Sequence, residues 1–187
     1  MKMLLHMCCG PCSAFPVKHL QELGYDLVGY FYNPNIHPYK EFVRRLETSR
    51  EFAEKVGLPI VVEPEYTLEE FLNRALAGSR GRCRECYEIR LRRAARYAIE
   101  NGFECFTTTL LVSPYQQHDL IRELGETIGQ EEGIPFQYID FRPGWQEGVQ
   151  ISKDMELYRQ PYCGCIFSER DRYYKPRKEN GQHAGRY

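Results

Sequence analysis

KMLLHMCCGPCS, residues 2–13, decides how the rest of the chain is read. Lys2 to Met7 is an apolar run of strand length interrupted by His6. From Ser13 to Leu23 the apolar positions recur with a helical period until Gly24 closes the pattern. Between strand and helix stand Cys8, Cys9 and Cys12, with Gly10 and Pro11 supplying the turn. Open α/β sheets bind ligands at the carboxyl ends of their strands, and a helix N-terminus stabilises anions there through its dipole and free N–H groups. Phosphate-binding folds place a glycine-rich loop at this point; this chain places thiols, which the same field favours as thiolates. Adjacent Cys8 and Cys9 would face opposite ways in a continuing strand, so both reach one centre only if the chain is already turning.

Working outward, short apolar runs alternate with amphipathic stretches. Asp26 to Tyr32 reads as a second strand, a helical pattern runs from Pro38 to Val56, and Ile60 to Val62 is a short strand. Helices follow at 68–77 and 85–100, then a central strand over 103–111, a helix over 116–131, a strand over 136–139 and a weaker helix over 145–158. Strands separated by helices of this length predict right-handed crossovers and a parallel sheet covered by helices on both faces, within a single α/β domain over residues 1–174. Residues 175–187 read as a basic, loosely held tail.

Composition narrows the class. With 187 residues, 42% hydrophobic content and a net charge of −1, the chain is neither disordered nor a membrane protein. The apolar opening ends at His6, short of the roughly 7–15 residues of a secretory core, so a cytoplasmic location is expected. In a reducing compartment eight cysteines more often serve metal or redox chemistry than staples. Cys105 stands alone in an apparent buried strand and reads as a core residue; the other seven form CCGPC (Cys8, Cys9, Cys12), CREC (Cys83, Cys86) and CGC (Cys163, Cys165). A four-iron cluster or a structural zinc takes four thiolates. Seven exceed that, so a cluster together with a redox dithiol, a second metal, or both is expected. Asp140, ending a strand, could bind a metal or a proton there; His6 and His118 are weaker ligand candidates, and a turn-capping role competes for Asp140.

Charge is segregated despite the near-zero sum. Eight arginines lie between Arg74 and Arg96, and the stretch after Arg170 is again basic with tyrosines interleaved. Such stretches track phosphate backbones and stack on bases, or else form salt-bridged solvated faces. No P-loop, no Ser-Gly-Gly pyrophosphatase loop and no G-x-G-x-x-G fingerprint occurs.

Five ordered blocks, HMCCGPCS (6–13), RCRECYEIRL (82–91), TTTLLVSPYQ (107–116), DFRPGW (140–145) and YRQPYCGCIFS (158–168), together resemble the QueH family of epoxyqueuosine reductases. The resemblance implies a Rossmann-like, HUP-type sheet and an iron–sulfur metalloenzyme. Its reaction is the last step of queuosine synthesis, removal of the epoxide oxygen of epoxyqueuosine at the wobble position of tRNA. By resemblance, Cys8, Cys9, Cys83 and Cys86 are expected to hold a [4Fe–4S] cluster, and Cys163 and Cys165 to form a redox-active pair. Cys12 with Asp140 would hold a neighbouring mononuclear iron. Arg90, Arg92, Arg93 and Arg96 are expected to grip the anticodon stem-loop, with the wobble base stacking on Tyr115 or Trp145. An electron donor is implied but not identified. The alternatives are an iron–sulfur-dependent tRNA thiolation enzyme, which would lack its ATP loop, and an iron–sulfur carrier or zinc-stabilised RNA-binding protein.

Overall fold

The computed structural model describes residues 1–176. Its sheet has four parallel strands in the order β3-β2-β1-β4: β1 (Lys2–His6), β2 (Asp26–Phe31), β3 (Ile60–Val62) and β4 (Cys105–Thr108). Met3, Leu4 and Leu5 on β1 are fully buried, as expected of a central strand covered on both faces. The helices are α1 (Gly10–Glu22), α2 (Tyr39–Val56), α3 (Leu68–Ala77), α4 (Arg82–Glu100), α5 (His118–Glu132), α6 (Trp145–Asp154) and α7 (Ile166–Tyr173). Among the described residues no helix is long and apolar enough to cross a membrane. Lys178 and Arg186, in the predicted basic tail, lie outside the described residues.

Strand order reverses between β1 and β4, because the chain moves outward through β2 and β3 and then returns to the other side of β1. That reversal opens a crevice at the carboxyl ends of β1 and β4, where open α/β sheets seat their ligands. Cys8 and Cys9 follow β1 there, and Thr109 follows β4. Helix α1 begins earlier than its apolar period suggests, at Gly10, because Pro11 suits a first helical turn. Gly10 also permits a close helix approach: a Cβ there would stand 2.7 Å from the Thr48 carbonyl oxygen of α2.

Two strand expectations are corrected. The central strand expected over 103–111 ends at Thr108, and Thr109–Val112 winds into a 3₁₀ turn that brings Thr109 to the cysteines. The strand expected over 136–139 reduces to one bridge between Phe106 and Phe136. Pro135 and Gln137 complete that bridge through backbone bonds of 3.1 and 2.9 Å to Phe106, which leaves β4 the last full strand.

Candidate active site

His6 bolts the floor of the crevice. Its Nε2 pairs with the Tyr32 carbonyl at 3.2 Å, so Nε2 carries the proton and Nδ1 accepts from Thr108 Oγ1 at 2.9 Å. Burial, assisted by the charge of Arg90, lowers its pKa to about 4 and keeps it neutral. With both ring nitrogens engaged, His6 joins the ends of β1, β2 and β4 and is not a free ligand. His118 is held through Nε2, which pairs with the Ser113 carbonyl at 3.0 Å, while its buried Nδ1 has no hydrogen-bond partner.

Above this floor the Sγ atoms of Cys8, Cys9 and Cys12 lie within 4.8 Å of one another. Cys8 N–H donates to Thr109 Oγ1 at 3.0 Å, and the Thr109 hydroxyl lies 3.3 Å from Cys8 Sγ. Gln160 Nε2 donates to Cys9 Sγ at 2.9 Å and to Cys12 Sγ at 3.4 Å. Cys9 is the N-cap of α1 yet makes no side-chain cap bond, so its thiol does not satisfy the first-turn N–H groups. Hydrogen bonds from Cys12, then Cys9, hold the Cys8 thiol well below its ordinary value, with Thr109 and the charge of Arg90 acting in the same sense. Cys9 is raised by burial, and Cys12 by its bonds to Cys8 and Cys9. Three sulfurs this close are a donor set suited to a soft cation.

The facing wall brings the remaining thiols. Cys83 and Cys86 occupy the first turns of α4, and Cys163 and Cys165 flank Gly164, whose φ of +148° favours glycine. Burial pushes Cys86 up to about 12, and burial with the Cys163 charge raises Cys83. Cys8, Cys12, Cys83, Cys86, Cys163 and Cys165 line one cleft of about 610 Å³. Cys9 is buried behind them, its sulfur 3.9 Å from that of Cys8. All these cysteines are free thiols. Cys163 takes a bond from Gln116 Nε2 at 3.5 Å, whereas Cys165 Sγ accepts from Ser168 N–H at 3.4 Å and caps α7.

The CGC segment is fixed from below by Arg45, which the sequence reading missed. Its guanidinium is 2% exposed, pairs with Glu41 at 2.7 Å, and donates to the carbonyls of Cys163 and Tyr162 at 2.8 and 2.9 Å. His37 N–H adds a bond to the Gly164 carbonyl at 2.8 Å. An arginine on the buried face of α2, beside Phe42, Leu46 and Ser49, was the available signal.

The family profile described as epoxyqueuosine reductase QueH matches residues 3–171. An epoxyqueuosine reductase QueH of Dehalococcoides mccartyi is 41% identical over 175 residues, covering 94% of this chain and 96% of its own. One of Histophilus somni is 38% identical, covering 97% of this chain and 77% of its own. The chain belongs to the epoxyqueuosine reductase QueH family. It is therefore an oxidoreductase of queuosine biosynthesis. A solved structure described as a predicted subunit of tRNA methyltransferase from Methanocaldococcus jannaschii aligns with a TM-score of 0.50 at 13% identity, covering 82% of this chain and 74% of its own; that likeness extends to the fold alone.

The structure places several of the expected site residues away from the open cleft. Asp140 does not line the cleft: its carboxylate accepts from Arg142 N–H at 3.0 Å, Nε at 2.8 Å and Nη2 at 2.6 Å, closing the turn Arg142–Gly144. The nearby Arg142 holds that carboxyl below its usual range. Arg92, Arg93 and Arg96 also lie outside the cleft, each paired with carboxylates: Arg92 with Glu88, Glu131 and Glu132, Arg93 with Glu63 and Glu100, Arg96 with Glu132. Arg90 reaches the cleft but is 2% exposed, which removes it from contact with a phosphate backbone. Tyr115 and Trp145 do line the cleft, ring centroids 6.2 Å apart and edge to face, with Tyr115 85% exposed. Arg159 and Arg172 join them as exposed lining residues without a carboxylate partner among the described residues.

Proposed function

We propose that this cleft removes the epoxide oxygen of epoxyqueuosine at the wobble position of tRNA, with its thiols holding a [4Fe–4S] cluster and one further metal ion. The observation that carries the reading is the convergence of seven thiols at the β1/β4 switch point, more than any single centre uses. The donor set fits such groups in two parts. Sulfurs on one tetrahedral ion stand about 3.8 Å apart, given metal–sulfur bonds near 2.3 Å. The Cys8, Cys9 and Cys12 sulfurs, within 4.8 Å of each other, have that kind of spacing and leave a fourth position open. Cys83, Cys86, Cys163 and Cys165, which line the same cleft, would supply the four thiolates of a cluster. This division departs from a cluster on Cys8, Cys9, Cys83 and Cys86, which would draw on both groups, and from a second metal on Asp140, which is already committed to Arg142.

When bound, the metal groups would relay the electrons and polarise the epoxide oxygen. Two electrons and two protons balance the step: the oxygen leaves as water and the ring gains a double bond. The electrons come from an external donor. The chain's own residues position the substrate. Tyr115 and Trp145 stack the everted base at the mouth of a cleft large enough for a nucleoside, and Arg159 and Arg172 meet flanking phosphates. Gln160 and Gln116 orient the thiols through N–H to sulfur bonds. Residues 1–174 act as one catalytic unit.

Anaerobic purification is expected to give about four irons with matching sulfide per chain, plus one further metal. Incubation of that protein with tRNA carrying epoxyqueuosine and a chemical reductant is expected to give queuosine, read by nucleoside mass spectrometry. Protein containing zinc alone would sink the cluster, and unchanged epoxyqueuosine with the loaded protein would sink the reaction.

A further inference from the structure

Arg90 is anomalous among the buried groups of the chain. Its guanidinium is 2% exposed, pairs with no carboxylate among the described residues, and has one nitrogen, Nη2, without any hydrogen-bond partner. What it does bond bridges the two thiol groups. Nε donates to the Cys86 carbonyl at 3.2 Å, and Nη1 lies 3.5 Å from Asn33 Oδ1, while Asn33 Nδ2 donates to the Met7 carbonyl at 2.8 Å, next to Cys8. An isolated buried charge costs several kcal/mol, so a folded chain keeps one only where an opposite charge is present. The cysteines that line the same cleft can supply that charge as thiolates.

We infer that Arg90 is the fixed counter-charge of the thiolate metal centre, a positioning residue that stabilises its more reduced, more negative state. The inference rests on the thiolate-bound centre proposed above. Thiolates on a divalent ion or on an iron–sulfur core retain net negative charge, and each added electron increases it. A cation locked in a poorly solvated wall, unable to move away or exchange with solvent, favours reduction. Arg45 on α2, the other buried arginine near the cleft, cannot serve in the same way because Glu41 already neutralises it.

The test uses Arg90→Met and Arg90→Lys in the full chain. Thermal melting is recorded with and without metal, and reduction potential by anaerobic titration followed by electron paramagnetic resonance. Without metal, Arg90→Met is expected to melt at or above the wild type, since an unmatched buried charge is gone. With metal it is expected to melt lower, and its centre to reduce at a more negative potential, with Arg90→Lys in between and tRNA affinity unchanged. A purely structural arginine would lower both melting temperatures and leave the potential alone, overturning the inference; so would a loss of tRNA affinity at constant potential. If Arg90→Met takes up no metal, uptake restored in Arg90→Lys supports the charge role, and uptake lost in both overturns it. Should the wild type bind only zinc, the cluster reading fails while the melting comparison still decides the role of Arg90.

Discussion

Helix α4 turns one face of its first turns to the cleft and another face, further along, to α5 and to Glu63 just after β3, and both carry arginine. On the cleft side Cys83, Cys86 and Arg90 form a wall in which the guanidinium has thiols but no carboxylate beside it. On the outer side Arg92 and Arg96 share Glu132, and Arg93 pairs with Glu63 at 2.5 Å. The difference teaches that a run of arginine states a charge, whereas the partner decides its use. A matched arginine stabilises the surface of the fold by a fraction of a kcal/mol; an unmatched buried one requires a ligand or a centre.

The largest effect expected is on the cleft side. Changing partners that only orient a metal ligand costs roughly 10–100-fold, so losing a ligand itself should exceed about 100-fold. Cys83→Ser and Cys86→Ser are each expected to lose iron and turnover together, by metal analysis and single-turnover assay. Cys163→Ser and Cys165→Ser are expected to do the same. Either of these that keeps full iron and sulfide while losing turnover would return the pair to a redox dithiol and break the proposed division of thiols.

Arg45 sharpens the contrast from α2, because it is as buried as Arg90 but has a carboxylate. Arg45→Met strands Glu41, which is 11% exposed, and frees the Cys163 and Tyr162 carbonyls. Breaking one side of a buried pair costs about 3–5 kcal/mol, so urea unfolding of the metal-free protein should show a loss of that size, opposite in direction to Arg90→Met. Equal losses in both variants would erase the distinction between matched and unmatched arginine.

RNA binding separates the two kinds of arginine again. Arg159→Ala with Arg172→Ala is expected to weaken tRNA binding and reduce the salt slope by about two, one for each phosphate contact. Arg92→Ala with Arg93→Ala is expected to change affinity less than about threefold. The reverse ranking, measured by filter binding across salt concentrations, would restore the outer face of α4 as the interface.

Much of this was legible because local signals agreed with tertiary ones. Lys2 to Met7 carried its burial in its composition, and Gly10-Pro11 fixed the turn that gathers Cys8, Cys9 and Cys12. The thiol groups could be counted before they could be placed. What sequence did not disclose were two pairings over long separations, Glu132 with Arg92 and Arg45 with the CGC loop, and one local competition, in which Arg142 takes up the carboxylate of Asp140 from two positions away. Helix α7 escaped because its eight residues carry no buried apolar face to give a period. The outer arginines looked free for RNA because a carboxylate on another helix leaves no trace in the local pattern.

The smallest effect expected is at Glu132, and it tests the outer face directly. Hydrogen bonds from Arg96, then Arg92, hold its carboxyl below the ordinary 4.5. A carboxyl depressed in the folded state contributes stability above its unfolded value and loses it as pH falls through the folded one. Glu132→Gln should therefore cost about 0.5–1 kcal/mol at neutral pH, within the range of surface pairs, and the difference from wild type should vanish under acid. Urea midpoints from pH 7 down to about 3 check both statements. The same variant frees the Arg96 guanidinium and loosens that of Arg92, which keeps Glu88 and Glu131, without removing either. If tRNA affinity rises in Glu132→Gln, the outer face is an interface restrained by its own carboxylates; if it stays constant while the cleft-rim arginines remain sensitive, the outer charge belongs to the fold.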